Sequence, residues 1–401
     1  MVGQLRYEAQ SLELDADKFV DEAQEITGLT DFGPFEFRAA LRKLLECFAK
    51  DMPLSEQGIL LLKSDMVRLL VNRLRMQNDI KAHPEILEED VSDPFIIIGL
   101  PRSGTTKLHK MLSAPDNVQK TLFWKIMNPA PFPDIEFPDR KPRGVDPRIF
   151  AISDSGLLTD GDADRDAAHR TALEEVEEEG LVYQMSFKDY TWSVLLDSPE
   201  YFEWIMSESC VEGYLLAKRV FQYLQWQDGG KRNRPWIFKS VPHLMYIDTL
   251  METFPNATLI QPHRDPHKCI PSFAKFSDGL ISIYADSLND KHEHGAETLK
   301  TWSVAMKRYL DVRDRLKLDD RILDVDYQMV REDPMSIIRE AYARSSYELT
   351  AEADQKMLDW HNQNIQGKHG RHEYSLEEYG LSDADIEQNF SQYMTRFIKN
   401  N

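Results

Sequence analysis

Apolar residues are spaced in two ways along this chain. Phe37, Ala40, Leu41, Leu44, Leu45 and Phe48 recur at intervals of three and four positions, and so do Ile59, Leu62, Met66, Leu69, Leu70 and Leu74. That spacing predicts two amphipathic helices, the first ended by Pro53 and the second started near Ser55 and Glu56. Phe95-Ile96-Ile97-Ile98 is different: an unbroken, largely β-branched run that predicts a parallel strand buried on both faces. Trp236 to Lys239, Ala257 to Gln261 and Arg321 to Tyr327 predict three further strands. Helical spacing returns at Leu181 to Phe187, Tyr214 to Trp226, about Leu244 to Thr253, after Pro266, and at Met306 to Leu316. Strands alternating with helices predict an α/β fold, a parallel sheet flanked by helices, preceded by a helical extension over residues 1–92. The α/β domain is expected to fill 93–401, with an insert at 128–210 and a C-terminal segment at 331–401. Ligands of such a sheet are expected beyond the carboxyl ends of its strands.

The first strand runs into Gly99-Leu-Pro-Arg-Ser-Gly104-Thr-Thr, and Leu108, Met111 and Leu112 then follow helical spacing. A strand, a loop bounded by glycines and a helix start leave backbone N–H groups and the positive end of a helix dipole facing outward, which suits a phosphate. The Gly99-x4-Gly104 spacing is that of a P-loop, so the fold is expected to be of the P-loop-containing nucleotide-binding type. Thr105 stands where a nucleoside triphosphatase carries its lysine, and the positive charge sits earlier, at Arg102.

Composition narrows the partners. The net charge is −20 and the pI about 5.0, which argues against non-specific binding to nucleic acid or anionic membranes. The three cysteines, Cys47, Cys210 and Cys269, are far apart and show no zinc spacing, so a reducing compartment and no metal are expected. The opening MVGQLRYEAQ has no signal-peptide apolar core and no apolar run nears the ~20 residues of a membrane helix. The expectation is a cytoplasmic protein without an integral membrane segment. Six prolines between 129 and 147 mark a long irregular connection. The acidic stretch at 154–179 follows, and most of its carboxylates are expected to face solvent.

Several stretches together resemble the sulfotransferases that use 3′-phosphoadenosine 5′-phosphosulfate (PAPS). GLPRSGTTKL at 99–108 resembles their 5′-phosphosulfate loop. FKSVPHLMYIDTLMETFPNATLIQPHRDPHKCIPSF at 238–273 resembles the bacterial branch, although that branch has Pro directly after Ser/Thr and here Val241 intervenes. VDYQMVREDP at 325–334 and HEYSLEEYGLS at 372–382 resemble later segments of the same branch.

The resemblance implies transfer of a sulfuryl group from PAPS to a hydroxyl or amine of a small-molecule acceptor. It implies that Arg102, with the N–H groups of Ser103, Gly104, Thr105 and Thr106, holds the 5′ end, and that Lys239 adds a second charge for the leaving oxygen. Arg264 and Ser272, eight apart, match the 3′-phosphate pair; Tyr327 is a candidate adenine contact; Gly367, Lys368 and Gly370 match a loop closing over the 3′-phosphate. Glu177, Glu178, His169 and His243 are the candidates for the base that takes the acceptor's proton. Aromatics from Tyr183 to Trp204 suggest an apolar alcohol, phenol or lipid-like acceptor. Two other readings stay open: a P-loop small-molecule kinase, which would need the absent loop lysine, and a non-catalytic nucleotide-binding protein.

Overall fold

A computed structural model describes residues 14–132, 146–151, 158, 171–286, 290–364 and 375–398. Four strands form one sheet: β1 (Phe95–Ile97), β2 (Ile237–Lys239), β3 (Thr258–His263) and β4 (Ile322–Asp326). Their order is β2-β1-β3-β4 and every neighbouring pair is parallel. Phe95 to Ile98 are fully buried, as an unbroken apolar strand should be. Ile98 has left the ladder, yet its N–H still donates to Ile260 O at 2.9 Å. β4 ends one residue earlier than its apolar pattern predicts. The Asp326 side chain accepts from Gln328 N at 2.6 Å, an N-cap that makes Tyr327 the first residue of a helix.

Alternate residues of the strands feed two cores. Phe95, Ile97, Ile237 and Ile260 pack with Leu108 and Ile338 on one face. Ile96, Ile98, Phe238 and Leu259 face the larger core, which also takes in Phe221 and Trp302. The N-terminal helices α1 (Ala16–Thr27), α2 (Arg38–Asp51) and α3 (Glu56–Ala82) share that second core through Phe19, Leu44, Phe48 and Leu70. Arg73 of α3 fastens them: fully buried, it donates to Met185 O at 3.0 Å and Phe35 O at 2.6 Å and lies over Phe37. Burial pushes its guanidinium down to about 10.

Around the sheet the elements used below are α4 (Thr105–Leu112), α5 (Tyr190–Leu196), α6 (Val211–Gln227), α7 (Pro266–Ile281), α8 (Lys291–Leu316), α9 (Tyr327–Glu332) and α10 (Asp383–Phe397). The structure shows α8 starting well before the predicted Met306, because Asp290 caps it by accepting from His292 N and Glu293 N. Leu181 to Phe187 is not one helix but a turn of α-helix, Gly180–Tyr183, and a 3-10 turn, Gln184–Ser186. The Ser186 hydroxyl closes that turn on Tyr183 O at 2.8 Å, and Phe187 leaves it with φ +54°. Likewise Val241–Tyr246 is a 3-10 turn and only Ile247–Thr253 is α-helical. Among the described residues no helix is long and apolar enough to cross a membrane, and no group of three or more His, Cys, Asp or Glu side chains is placed to hold a metal ion.

Candidate active site

The loop after β1 is held by its own backbone. Gly99 has φ +140°, and a Cβ there would sit 3.1 Å from Pro262 O; Gly104 has φ +92°, and a Cβ there would press on Val330 and Tyr327. These are conformations that glycine adopts without steric cost. Ser103 is fully buried; its hydroxyl donates to Leu100 O at 2.6 Å and its N–H reaches the same oxygen at 3.3 Å. Ser103 therefore shapes the loop, and its N–H is turned inward. Past it, α4 opens with Thr105 and Thr106, where first-turn N–H groups lack carbonyls of their own helix.

Arg102 connects this loop to the next two strand ends. It takes φ +66°, a left-handed conformation that costs a non-glycine residue about 1 kcal/mol. Its Nε donates to Ser272 Oγ on α7 at 3.2 Å, and its guanidinium lies 5.7 Å from the Phe276 ring. Arg264, just past β3, donates from Nη1 to Arg102 O at 2.6 Å and stacks its guanidinium 4.3 Å over Tyr327. Arg102, Arg264, Ser272 and Tyr327 are thus one contiguous group. Tyr327 serves it as a platform for Arg264.

The end of β2 gathers the second group. Lys239 is buried, its Nζ pairs with Glu178, and its N–H donates to Glu179 Oε2 at 2.6 Å. The other oxygen of Glu179 lies 2.7 Å from His243 Nε2, and His243 Nδ1 lies 2.7 Å from Tyr214 Oη on α6. Burial favours the neutral acid for Glu179, yet the His243 and Lys239 contacts hold its pKa below the usual value. Burial keeps Tyr214 protonated far into the alkaline range. The donor order follows: Tyr214 O–H to His243 Nδ1, and His243 Nε2–H to the Glu179 carboxylate.

The acidic run therefore splits. Glu174 faces solvent and Glu175 pairs with Lys110 at 2.7 Å. Glu177 is buried in its own turn, accepting from Thr171 Oγ1 at 3.2 Å and Glu178 N at 2.8 Å. Glu178 is the carboxylate beside Lys239 that keeps part of its surface exposed. Glu179, which reads in the sequence as one more member of a charge run, is fully buried. The faint signal is Gly180 after it: a Cβ there would lie 3.0 Å from Ser240 Oγ, and this close approach carries Glu179 under β2. His109, also missed, lies beneath these carboxylates, its hydroxyl neighbour Thr121 3.4 Å away; burial pushes its imidazole down to about 4. Beside His243, a small cavity is walled by Tyr183, Asp189, Tyr214 and Tyr246. Burial pushes the Asp189 carboxyl up to about 6. His169, Gly367, Lys368 and Gly370 lie outside the described residues.

Comparison with known proteins bears on this geometry. The pattern that defines the sulfotransferase family matches residues 94–351. The omega-hydroxy-beta-dihydromenaquinone-9 sulfotransferases Stf3 of Mycobacterium bovis and Mycobacterium tuberculosis are each 25% identical over 276 residues. The matched stretch is 64% of this chain and 64% of each relative, so the chain spans just under two thirds of these curated relatives' length. Among solved structures, sulfotransferase STF9 from Mycobacterium avium superposes with a TM-score of 0.81 at 26% identity, over 96% of this chain and 97% of that one. Sulfotransferase STF1 from Mycobacterium tuberculosis gives 0.74 at 25% identity, over 96% and 100%.

Proposed function

The chain belongs to the sulfotransferase family, and from that premise we propose that it moves a sulfuryl group from PAPS to the hydroxyl of an apolar alcohol, phenol or lipid-like acceptor. One observation supports the reading most: Arg102 reaches Ser272 while its carbonyl receives Arg264, which joins the loop after β1 to the residues read as a second anion site. PAPS has two anionic ends and suits two such centres. In this reading Gly104, Thr105, Thr106 and Arg102 hold the 5′ end, and Arg264 with Ser272 holds the 3′-phosphate. The unit at 93–401 carries the transfer and the helices of 1–92 support it.

The acceptor oxygen forms a bond to sulfur as the bond from sulfur to the bridging oxygen breaks. The leaving oxygen belongs to the nucleotide's 5′-phosphate and gains negative charge, which in this reading Arg102 and Lys239 stabilise. The acceptor's proton goes to Glu178. Glu177 and His243 are each enclosed by their own partners, whereas Glu178 is partly exposed beside Lys239. Glu179 and His243 act as positioning residues, since the Glu179 carboxylate fixes the Lys239 backbone. The acceptor class is supported by the aromatic wall of Tyr183, Tyr214 and Tyr246, and by the omega-hydroxy menaquinone in the names of two relatives.

Incubation with labelled PAPS and a panel of alcohols, phenols and charged glycans tests this. The expected result is acceptor-dependent release of adenosine 3′,5′-bisphosphate, lost in Arg102→Ala. Turnover with charged glycans alone would overturn the acceptor class. Tighter binding of ATP and magnesium than of the bisphosphate would overturn the donor.

A further inference from the structure

Behind Arg264 lies a chain of polar contacts, buried at Arg313 and His263, that the transfer chemistry does not itself use. Arg313 of α8 is almost fully buried; its Nη1 donates to Asp324 Oδ1 at 2.8 Å and its Nε to Asp319 Oδ1 at 2.7 Å. Its second terminal nitrogen pairs with the other oxygen of Asp324, so the grip is two-pronged. Asp324, on β4, also lies 2.7 Å from His263 Nε2. Its burial favours the neutral acid, but Arg313 and His263 hold the carboxyl down at about 2. His263 is the last residue of β3 and the one before Arg264.

The C-terminal helix closes over the other side of that ring. Phe397 of α10 stacks on His263 with centroids 4.0 Å apart and planes 5° from parallel. Tyr393 Oη lies 3.2 Å from His263 Nδ1 and 3.4 Å from the carbonyl oxygen of Arg264 itself. Burial lowers the pKa of His263, so the ring is neutral: Nε2–H donates to Asp324 and Nδ1 accepts from Tyr393. The His263 side chain has no freedom left on either edge or on the face that Phe397 covers.

We infer that the Arg313–Asp324–His263 chain, closed over by Tyr393 and Phe397 of α10, is the positioning device that aims Arg264 at the donor's 3′-phosphate. The inference rests on the role given to Arg264 above. Geometry supports it from both ends. The backbone at 263–264 is pinned by α8, β4 and α10, while the guanidinium is aligned by Arg102 O and the Tyr327 face. An arginine aligned at both ends loses less freedom when it takes a phosphate. A helix that ends near the C-terminus thereby acts on affinity for one phosphate of the donor.

The test is discrimination between two nucleotides, adenosine 3′,5′-bisphosphate and adenosine 5′-phosphate, measured by calorimetry. A positioning role predicts that Tyr393→Phe lowers the ratio of the two affinities by about 3- to 10-fold, the scale of one hydrogen bond, and that Phe397→Leu, which removes the stack on His263, lowers it too. Affinity for the monophosphate should stay as in the wild type. His263→Ala should lower the ratio further, and His263→Gln, which keeps an N–H near Asp324, should restore part of it. In an Arg264→Ala background none of these changes should have a further effect. If His263→Ala does not fold, Tyr393→Phe, which removes a single oxygen, carries the test. An unchanged ratio in the folded variants, or equal loss for both nucleotides, would overturn the inference and leave the donor reading intact. A wild type that does not prefer the bisphosphate would overturn the role of Arg264 itself.

Discussion

The two sides of the crevice hold their charges differently. On the loop side, hydroxyl, carbonyl and ring contacts align the arginines: Arg102 meets the Ser272 hydroxyl and the Phe276 ring, Arg264 a carbonyl and the Tyr327 ring. On the side of residues 171–190, cation meets carboxylate: Lys239 with Glu178, and Lys110 with Glu175. A hydroxyl or ring positions an arginine without cancelling its charge, whereas a carboxylate partner offsets part of the charge and sets a proton acceptor beside it. The first arrangement suits holding an anion; the second suits handling a proton. The net charge of −20 sharpens the contrast, because an anionic donor must be drawn in against the overall field.

Separate substitutions on the two sides would break this contrast if it is wrong. Glu178→Gln keeps the shape and removes the base; turnover should fall by roughly 10²- to 10⁴-fold, with bisphosphate affinity not reduced. Turnover within a few fold of wild type, in steady-state assays at saturating donor, would shift the base to another group. Arg102→Ala should lower turnover by roughly 10²- to 10³-fold, as removal of a charge-stabilising donor does, and should also weaken the bisphosphate. If Arg102→Ala changed only turnover, and Glu178→Gln only affinity, the assignment of the two sides would be reversed.

A milder comparison sets Glu179 against Ser272. Glu179 is fully buried between Lys239 N and His243, so Glu179→Ala leaves two buried donors without their acceptor and should cost about 3 kcal/mol of stability, read as a lowered urea midpoint. Ser272→Ala removes one hydroxyl beside Arg102; bisphosphate affinity should drop by about 3- to 10-fold and the urea midpoint should hold. A stable Glu179→Ala protein with wild-type turnover would remove Glu179 as the support of Lys239.

The same contrast explains what the chain disclosed in advance. All four strands were legible, because an unbroken apolar run beside glycine has few other uses, and the loop side follows directly from strand ends. Arg102 comes from the stretch after β1, Arg264 and Ser272 from the stretch after β3, and they meet because parallel strands bring their carboxyl ends to one edge. The other side was legible only in part. Glu177, Glu178 and Glu179 are chemically identical neighbours, and their partners separate them: Thr171 within the same turn for Glu177, and Lys239 and His243, far along the chain, for Glu178 and Glu179. The brace behind Arg264 was unreadable for the same reason. Its members span residues 263 to 397, and of them only His263 falls in a stretch that carries the family resemblance.

The smallest expected effect is in the pH dependence of stability, where His294 and Asp324 differ in sign. His294 of α8 is buried, with Nδ1 2.8 Å from Asp197 at the end of α5 and Nε2 2.9 Å from Ser277 Oγ and 3.1 Å from Ala274 O on α7. Burial alone would lower its pKa, but Asp197 and the Ala274 carbonyl outweigh it and the net shift is upward. A raised folded-state pKa means a stabilising contribution that is complete below the unfolded value, about 6.5, and is lost as pH rises through the folded one. Asp324, behind Arg264, is held at about 2, so its contribution is present above about 4 and is lost as pH falls toward about 2. The clasp under the aromatic segment should therefore loosen on the alkaline side and the brace behind the arginine on the acid side. Urea midpoints measured across pH should decline above about 6.5 in the wild type. Asp197→Asn, which keeps the shape and removes the charge, should flatten that decline while leaving the acid limb unchanged. Asp197→Asn and wild-type curves that run parallel above that pH would show that the Asp197–His294 pair adds nothing to stability.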